Sequence, residues 1–182
     1  MNPLLENIQK NTAAKVNELQ NDLPDLVNEF NRVVVAGQKL MTDKNVNSHL
    51  EMVKDAKNRN DPVNMIAKDV SRLMWIVYMK SNKTIRHPVL VFAGTILMCE
   101  EFDIMERGYG LQITNDLVAR TLEKLAEVMM TLLGITPEIL AKKIQEGKQE
   151  IDDYKSGKLK PEDIKSRMQQ QEEPLPPPTG AQ

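Results

Sequence analysis

The chain has 182 residues, of which 41% are hydrophobic and 27% charged, so its composition is that of a globular protein rather than a disordered one. Its 24 lysines and arginines nearly balance its 26 acidic residues, and a net charge of -2 argues against a strongly basic nucleic-acid binder. A single cysteine excludes an internal disulfide, and together with only two histidines it leaves few ligands for a zinc site.

The residue types favour an all-α fold. Aromatic residues make up only 4% of the chain, whereas there are 11 methionines, whose unbranched side chains fill irregular gaps between helices. A β-sheet would need more β-branched and aromatic residues at alternating positions. We therefore predict an irregular bundle of several helices.

The first predicted helix, residues 3–22, carries a thin apolar stripe, whereas the second, residues 25–42, carries a fuller one. A thin stripe suits packing against a single neighbour or pairing in a coiled coil. The sequence leaves open whether this helix folds back on the core or reaches outward, and the favoured expectation is contact with another subunit. Four residues form the stripe: Leu5, Ile8, Val16 and Leu19. A short amphipathic segment is predicted at 47–57.

Two long apolar segments form the predicted centre of the fold. Asp61 and Pro62 are typical of a helix start, and Pro88 opens the next helix. We therefore predict a central antiparallel helical hairpin, about 62–81 and 88–106.

The apolar runs of this hairpin are too short to cross a membrane. The longest, Val89 to Cys99, is about half of the roughly 20 residues that a spanning helix needs. Within it Cys99 is predicted to be a small buried side chain. In the earlier helix, residues 73–79 are apolar all round, which predicts burial on every side. The N-terminus does not have the pattern of a signal peptide, so we expect a cytoplasmic protein.

The C-terminal part is predicted to contain an amphipathic helix over 115–133 and a second helix over 137–155. The second has a narrow seam with heptad-like spacing, which suits pairing with one other helix. The seam consists of Leu140, Ile144, Ile151 and Tyr154. We assign residues 1–155 to the bundle domain and 156–182 to a linker, a short polar helix and a Pro-rich tail.

The last eleven residues, 172–182, are expected to favour an extended polyproline II conformation. They contain Pro174-x-x-Pro177, the minimal motif of ligands for polyproline-binding modules. Such a short motif often arises by chance, so the tail is interpreted as a solvated terminus.

No catalytic or nucleotide-binding motif occurs in the sequence, and we expect neither enzymatic activity nor a cofactor. The best candidates for metal ligands are Glu100, Asp103 and Glu106, which share one helical face. Di-metal helical bundles also use a Glu-x-x-His pair, which this chain lacks. We therefore interpret these residues, together with Glu101, as a solvated helix end.

The connector between the hairpin helices is basic. Lys80, Lys83 and Arg86 are candidates for contact with an anion such as a phosphate. The segment has no interleaved aromatic residues, so a solvated loop is the simpler interpretation. His87, like His49, is expected to be a solvated surface residue.

The favoured hypothesis is a non-enzymatic structural or assembly protein that acts through protein–protein contacts with itself or with other subunits. A component of a viral particle or of another large assembly would be one such protein. The contacts are expected at the stripe of the first helix and at the seam. The alternative is a small regulatory protein that binds an enzyme or nucleic acid through residues 80–87. A carboxylate metalloenzyme is the least favoured hypothesis, and no small-molecule substrate is inferred.

Overall fold

A computed structural model describes residues 2–21, 25–43 and 61–136, together with a few positions between 138 and 156. The chain divides into two compact units, Met1–Leu132 and Leu133–Gln182. The predicted segment at 47–57, the four seam residues, His49 and the proline-rich tail lie outside the described residues. The predicted domain boundary at 155/156 also stays a prediction.

Five α-helices and no strand are found among the residues that the structure describes, which confirms the all-α prediction. They all lie in the first unit. In chain order they are α1 (Pro3–Leu19), α2 (Leu26–Thr42), α3 (Pro62–Lys80), α4 (His87–Tyr109) and α5 (Asn115–Leu132). None of these described helices is long and apolar enough to span a membrane.

Local capping explains where several helices begin. The side chain of Asn2 accepts a hydrogen bond from the Leu4 N–H at the start of α1, over 3.0 Å. Asp61 does the same for α3, accepting from the Asn64 N–H at 3.2 Å. The hydrogen bonds that Asp61 accepts from the side chain and backbone of Asn64 lower the pKa of its carboxyl. The helix start that Asp61 and Pro62 indicate in the sequence therefore corresponds to a cap in the structure.

Polar contacts between helices show the direction in which each one runs. Asn2 Nδ2 donates to Glu106 Oε1 at 2.9 Å, so the start of α1 meets the end of α4 and the two helices are antiparallel. Gln38 Nε2 donates to Glu100 Oε1 at 2.6 Å, and Glu29 near the start of α2 contacts Arg86 just before α4. Helices α2 and α4 therefore run in the same direction.

Helix α4 is the centre of the bundle because it contacts each of the other four described helices. The predicted hairpin of α3 and α4 is confirmed. Close approach at this centre depends on Gly37 of α2, where a Cβ would collide with Leu97 and would lie 3.0 Å from Met74 Cε. Most of the buried side chains of α4 are apolar: Val89, Leu90, Ala93, Ile96, Leu97, Met98, Cys99, Phe102 and Met105.

Candidate interaction surface

The stripe of α1 is covered by this chain itself. Leu5 is fully buried and Val16 is 1% exposed, because α1 packs against α4 and α2. Ile8 and Leu19 are only partly exposed. Leu5 and Val16 are therefore covered within the chain, whereas contact of Ile8 and Leu19 with another subunit stays a prediction.

The second half of α3, in contrast, is more exposed than its sequence predicts. Leu73, Met74 and Val77 are buried, but Met79 is 43% exposed. Three more apolar or aromatic side chains on the outer side are partly exposed, namely Trp75, Ile76 and Tyr78. The prediction that this segment is buried on every side is therefore wrong, because among the described helices its neighbours lie on the inner side alone.

Three partly exposed rings form a row at this end of the hairpin. Trp75 and Tyr78, three positions apart on α3, have ring centroids 5.8 Å apart at an interplanar angle of 42°. The His87 ring lies 6.0 Å from Tyr78, at 60°. His87 is thus half-buried against an aromatic ring rather than a freely solvated residue.

A tight turn holds the two sides of the row together. The Asn82 N–H donates to the Met79 carbonyl at 3.0 Å, and the Lys83 N–H donates to the Tyr78 carbonyl at 2.9 Å. This is the Schellman pattern that commonly ends a helix, with Asn82 in the left-handed region at φ 55°. Lys83 is also left-handed, at φ 62°, which is uncommon for a residue other than glycine.

The three predicted anion contacts separate into two groups. Arg86 is paired with Glu29 of α2: its Nε lies 2.6 Å from Oε2, and its backbone N–H donates to Oε1 at 2.8 Å. Lys80 and Lys83 are exposed. Arg86 therefore helps to hold α4 against α2, and the two lysines supply the positive charge of this surface.

We define the hairpin-end surface as Trp75, Tyr78, Met79, Lys80, Lys83 and His87. It combines partly exposed aromatic rings and a thioether with two exposed cations. The sequence did contain one signal for it, the Trp75-x-x-Tyr78 pair, since residues three apart on a helix lie on one side. His87 is nine positions from Tyr78, and only the turn brings the two together.

Three of the acidic side chains of α4 form hydrogen bonds or an ion pair with other side chains of the bundle. Glu100 accepts from Gln38, Glu106 accepts from Asn2, and Asp103 pairs with Arg107 at 3.1 Å. Burial raises the pKa of the Glu100 carboxyl, and the hydrogen bond from Gln38 opposes this increase. Glu101 is only 1% exposed, so the interpretation of the group as a solvated helix end is wrong for this residue.

The other groups with reactive or ligating side chains form no site in the described part of the chain. There, no three His, Cys, Asp or Glu residues come close enough together to hold a metal ion. Cys99 is fully buried, and burial raises the pKa of its thiol to about 12, so the thiol stays protonated near neutral pH. An open depression of about 280 Å³ between α3 and α5 is lined mainly by polar and charged side chains.

Comparison with protein-family models, curated proteins and solved structures finds no match to this chain. The hairpin-end surface is therefore interpreted from its own chemistry.

Proposed function

We propose that this chain is a non-enzymatic assembly protein that acts through protein–protein contacts, and that the hairpin-end surface is one of its contacts. The observation that supports this is the exposed outer side of α3. Residues 73–79 are apolar on every side, yet Trp75, Tyr78 and Met79 remain partly in contact with water. Association with another chain would remove this apolar surface from water, which is favourable by roughly 25 cal/mol per Å².

The residue types of the surface support the same proposal. Tyr, Trp and Met are enriched in protein–protein interfaces, and Trp and Tyr are common among the residues that contribute most to binding. Lys80 and Lys83 are exposed, and exposed charged side chains suit the polar rim of such a contact. The non-enzymatic part of the proposal depends on the sequence, which contains no catalytic motif.

The direct test is the molar mass in solution, measured by light scattering over a concentration series. We expect masses above the 20.7 kDa of one chain, and a shift towards 20.7 kDa for Met79→Glu. Val35→Glu is the matched control, because Val35 is 47% exposed on α2. A mass of one chain at every concentration would contradict self-assembly, and equal effects of the two variants would exclude the hairpin-end surface.

The seam at Leu140, Ile144, Ile151 and Tyr154 remains a second proposed contact, derived from the sequence. Ile144→Asp combined with Ile151→Asp should lower the mass without unfolding α1–α5. Loss of the helical circular dichroism of the whole chain would instead assign the seam to the folded core. Incorporation into a viral particle or another large assembly, after synthesis in the cytoplasm, belongs to the same proposal.

Binding of an anionic partner through the connector is the second candidate function, favoured by the exposure of Lys80 and Lys83. Arg86 is better left unchanged in its test because it pairs with Glu29. We expect any binding to a single-stranded oligonucleotide to weaken with salt and to be lost in Lys80→Glu/Lys83→Glu. Binding that is unchanged in this variant would exclude the connector.

A further inference from the structure

Neighbouring, partly exposed rings at the hairpin end are one feature that this surface shares with surfaces that bind proline-rich peptides. Such peptides adopt the extended polyproline II conformation and dock in grooves lined by aromatic side chains. Trp75, Tyr78 and His87 form a tilted series with centroid spacings of 5.8 and 6.0 Å. The row therefore extends over at most about 12 Å, the length of about four polyproline II residues at 3.1 Å each.

The sequence of this chain contains a proline-rich peptide long enough to cover the row. Residues 174–178 are Pro-Leu-Pro-Pro-Pro, and five residues of polyproline II extend over about 15 Å. Prolines are already restricted in φ, so binding in this conformation costs less conformational entropy than ordering an ordinary peptide.

The charges on the two sides are also complementary. Glu172 and Glu173 directly precede the first proline, and the segment 172–182 contains no lysine or arginine. Lys80 and Lys83, which follow Tyr78 in the chain, are exposed. Complementary charges of this kind set the register and direction of an extended peptide on its surface.

We infer that the hairpin-end surface binds the proline-rich segment 172–182 of a second copy of this chain. The prolines pack against the rings of Trp75, Tyr78 and His87, and the two glutamates lie next to Lys80 and Lys83. This inference rests on the proposed assembly function and identifies the partner of the same surface.

The test uses Trp75, the only tryptophan of the chain. A synthetic peptide of residues 172–182 has no aromatic residue, so any change in tryptophan emission reports on the surface itself. The receptor is the full-length chain carrying Pro174→Ala and Pro177→Ala, which weakens competition from its own segment. We expect a saturable blue shift of the Trp75 emission as peptide is added.

Two controls decide between specific binding and general apolar contact. A peptide with alanine at each of its four proline positions should give no saturable shift. Lys83→Glu in the receptor should weaken peptide binding about tenfold, whereas Lys68→Glu, an exposed lysine nearer the start of α3, should leave it unchanged. Absence of a shift, or equal binding of the alanine peptide, would overturn the inference.

Light scattering on the full chain separates this inference from the broader proposal. Pro174→Ala/Pro177→Ala should lower the molar mass of the assembly as Met79→Glu does. If the wild-type chain assembles and the proline variant assembles equally well, the inference fails and the assembly function stands. If the wild-type chain has the mass of one copy at all concentrations, this inference fails together with self-assembly, and the proposed function is limited to contacts with a different chain.

Discussion

Helix α1 is more buried than its sequence indicates, whereas the second half of α3 is more exposed than its sequence indicates. Helix α1 has few apolar residues, yet Leu5 and Val16 are buried by neighbouring helices. Residues 73–79 of α3 are apolar all round, yet Met79 is 43% exposed and three neighbours are partly exposed. The number of apolar residues in a helix therefore does not by itself determine which of its faces is buried.

The physical reason lies in the position of each helix. Helix α4 is so largely apolar that it needs neighbours on several sides, and α1 supplies one of them with only a thin stripe. Helix α3 packs against α2, α4 and α5 on its inner side. The thin stripe is enough for α1 because it faces the most apolar helix of the bundle.

The largest effect should come from truncating the stripe of α1. Leu5→Ala removes a fully buried side chain and should lower the free energy of unfolding by about 2–5 kcal/mol. Met79→Ala is the comparison on α3 and should change it by less than about 1 kcal/mol. Urea denaturation measures the free energy of unfolding of both variants. An unchanged value for Leu5→Ala would show that α1 is not part of the folded core.

The next effect tests how tightly α2 packs against α4 and α3. Gly37→Ala places a Cβ against Leu97 and at 3.0 Å from Met74 Cε, so we expect a loss of about 1–3 kcal/mol. Gly108→Ala is the control, because a Cβ there has no atom within 4 Å. That variant should be neutral or more stable by up to about 1 kcal/mol. Equal stabilities of the two variants would contradict close packing at Gly37.

A third experiment tests what fixes the hairpin end in place. Glu29→Ala removes the two hydrogen bonds to Arg86, both from a partly buried pair, and should cost about 1–3 kcal/mol. The exposed pair of Lys15 and Glu18 provides the control, since Glu18→Ala should cost less than about 0.5 kcal/mol. Thermal unfolding compares them, and matching values would mean that the Glu29 pair contributes no more than a surface contact.

The smallest effect on stability is expected from Glu100, whose side chain is partly buried, and this effect depends on pH. Burial raises its folded pKa above the ordinary value of 4.5. Its contribution to stability is therefore complete below pH 4.5 and is lost as the pH rises through the folded pKa. Glu100→Gln stays neutral, so its stability relative to wild type should increase over this range and then become constant. A difference that does not vary between pH 4 and pH 8 would contradict this burial effect.

The candidate surface was only partly predictable. The basic character of residues 80–87 is visible in the sequence, and the exposure of Lys80 and Lys83 agrees with it. The pairing of Arg86 with Glu29 was not predictable, because the two residues are 57 positions apart and no local pattern links them. The contact of His87 with Tyr78 likewise depends on the left-handed turn at Asn82 and Lys83.

The sequence by itself determined the all-α class, the order of five helices and most of their ends, because apolar periodicity and capping residues act within a few positions of the chain. Helix α1 ends three residues earlier than its pattern predicts and α4 ends three residues later. Only the tertiary structure decided which apolar faces are covered. Coverage depends on how many neighbours each helix receives and where they lie, and these neighbours come from distant parts of the chain.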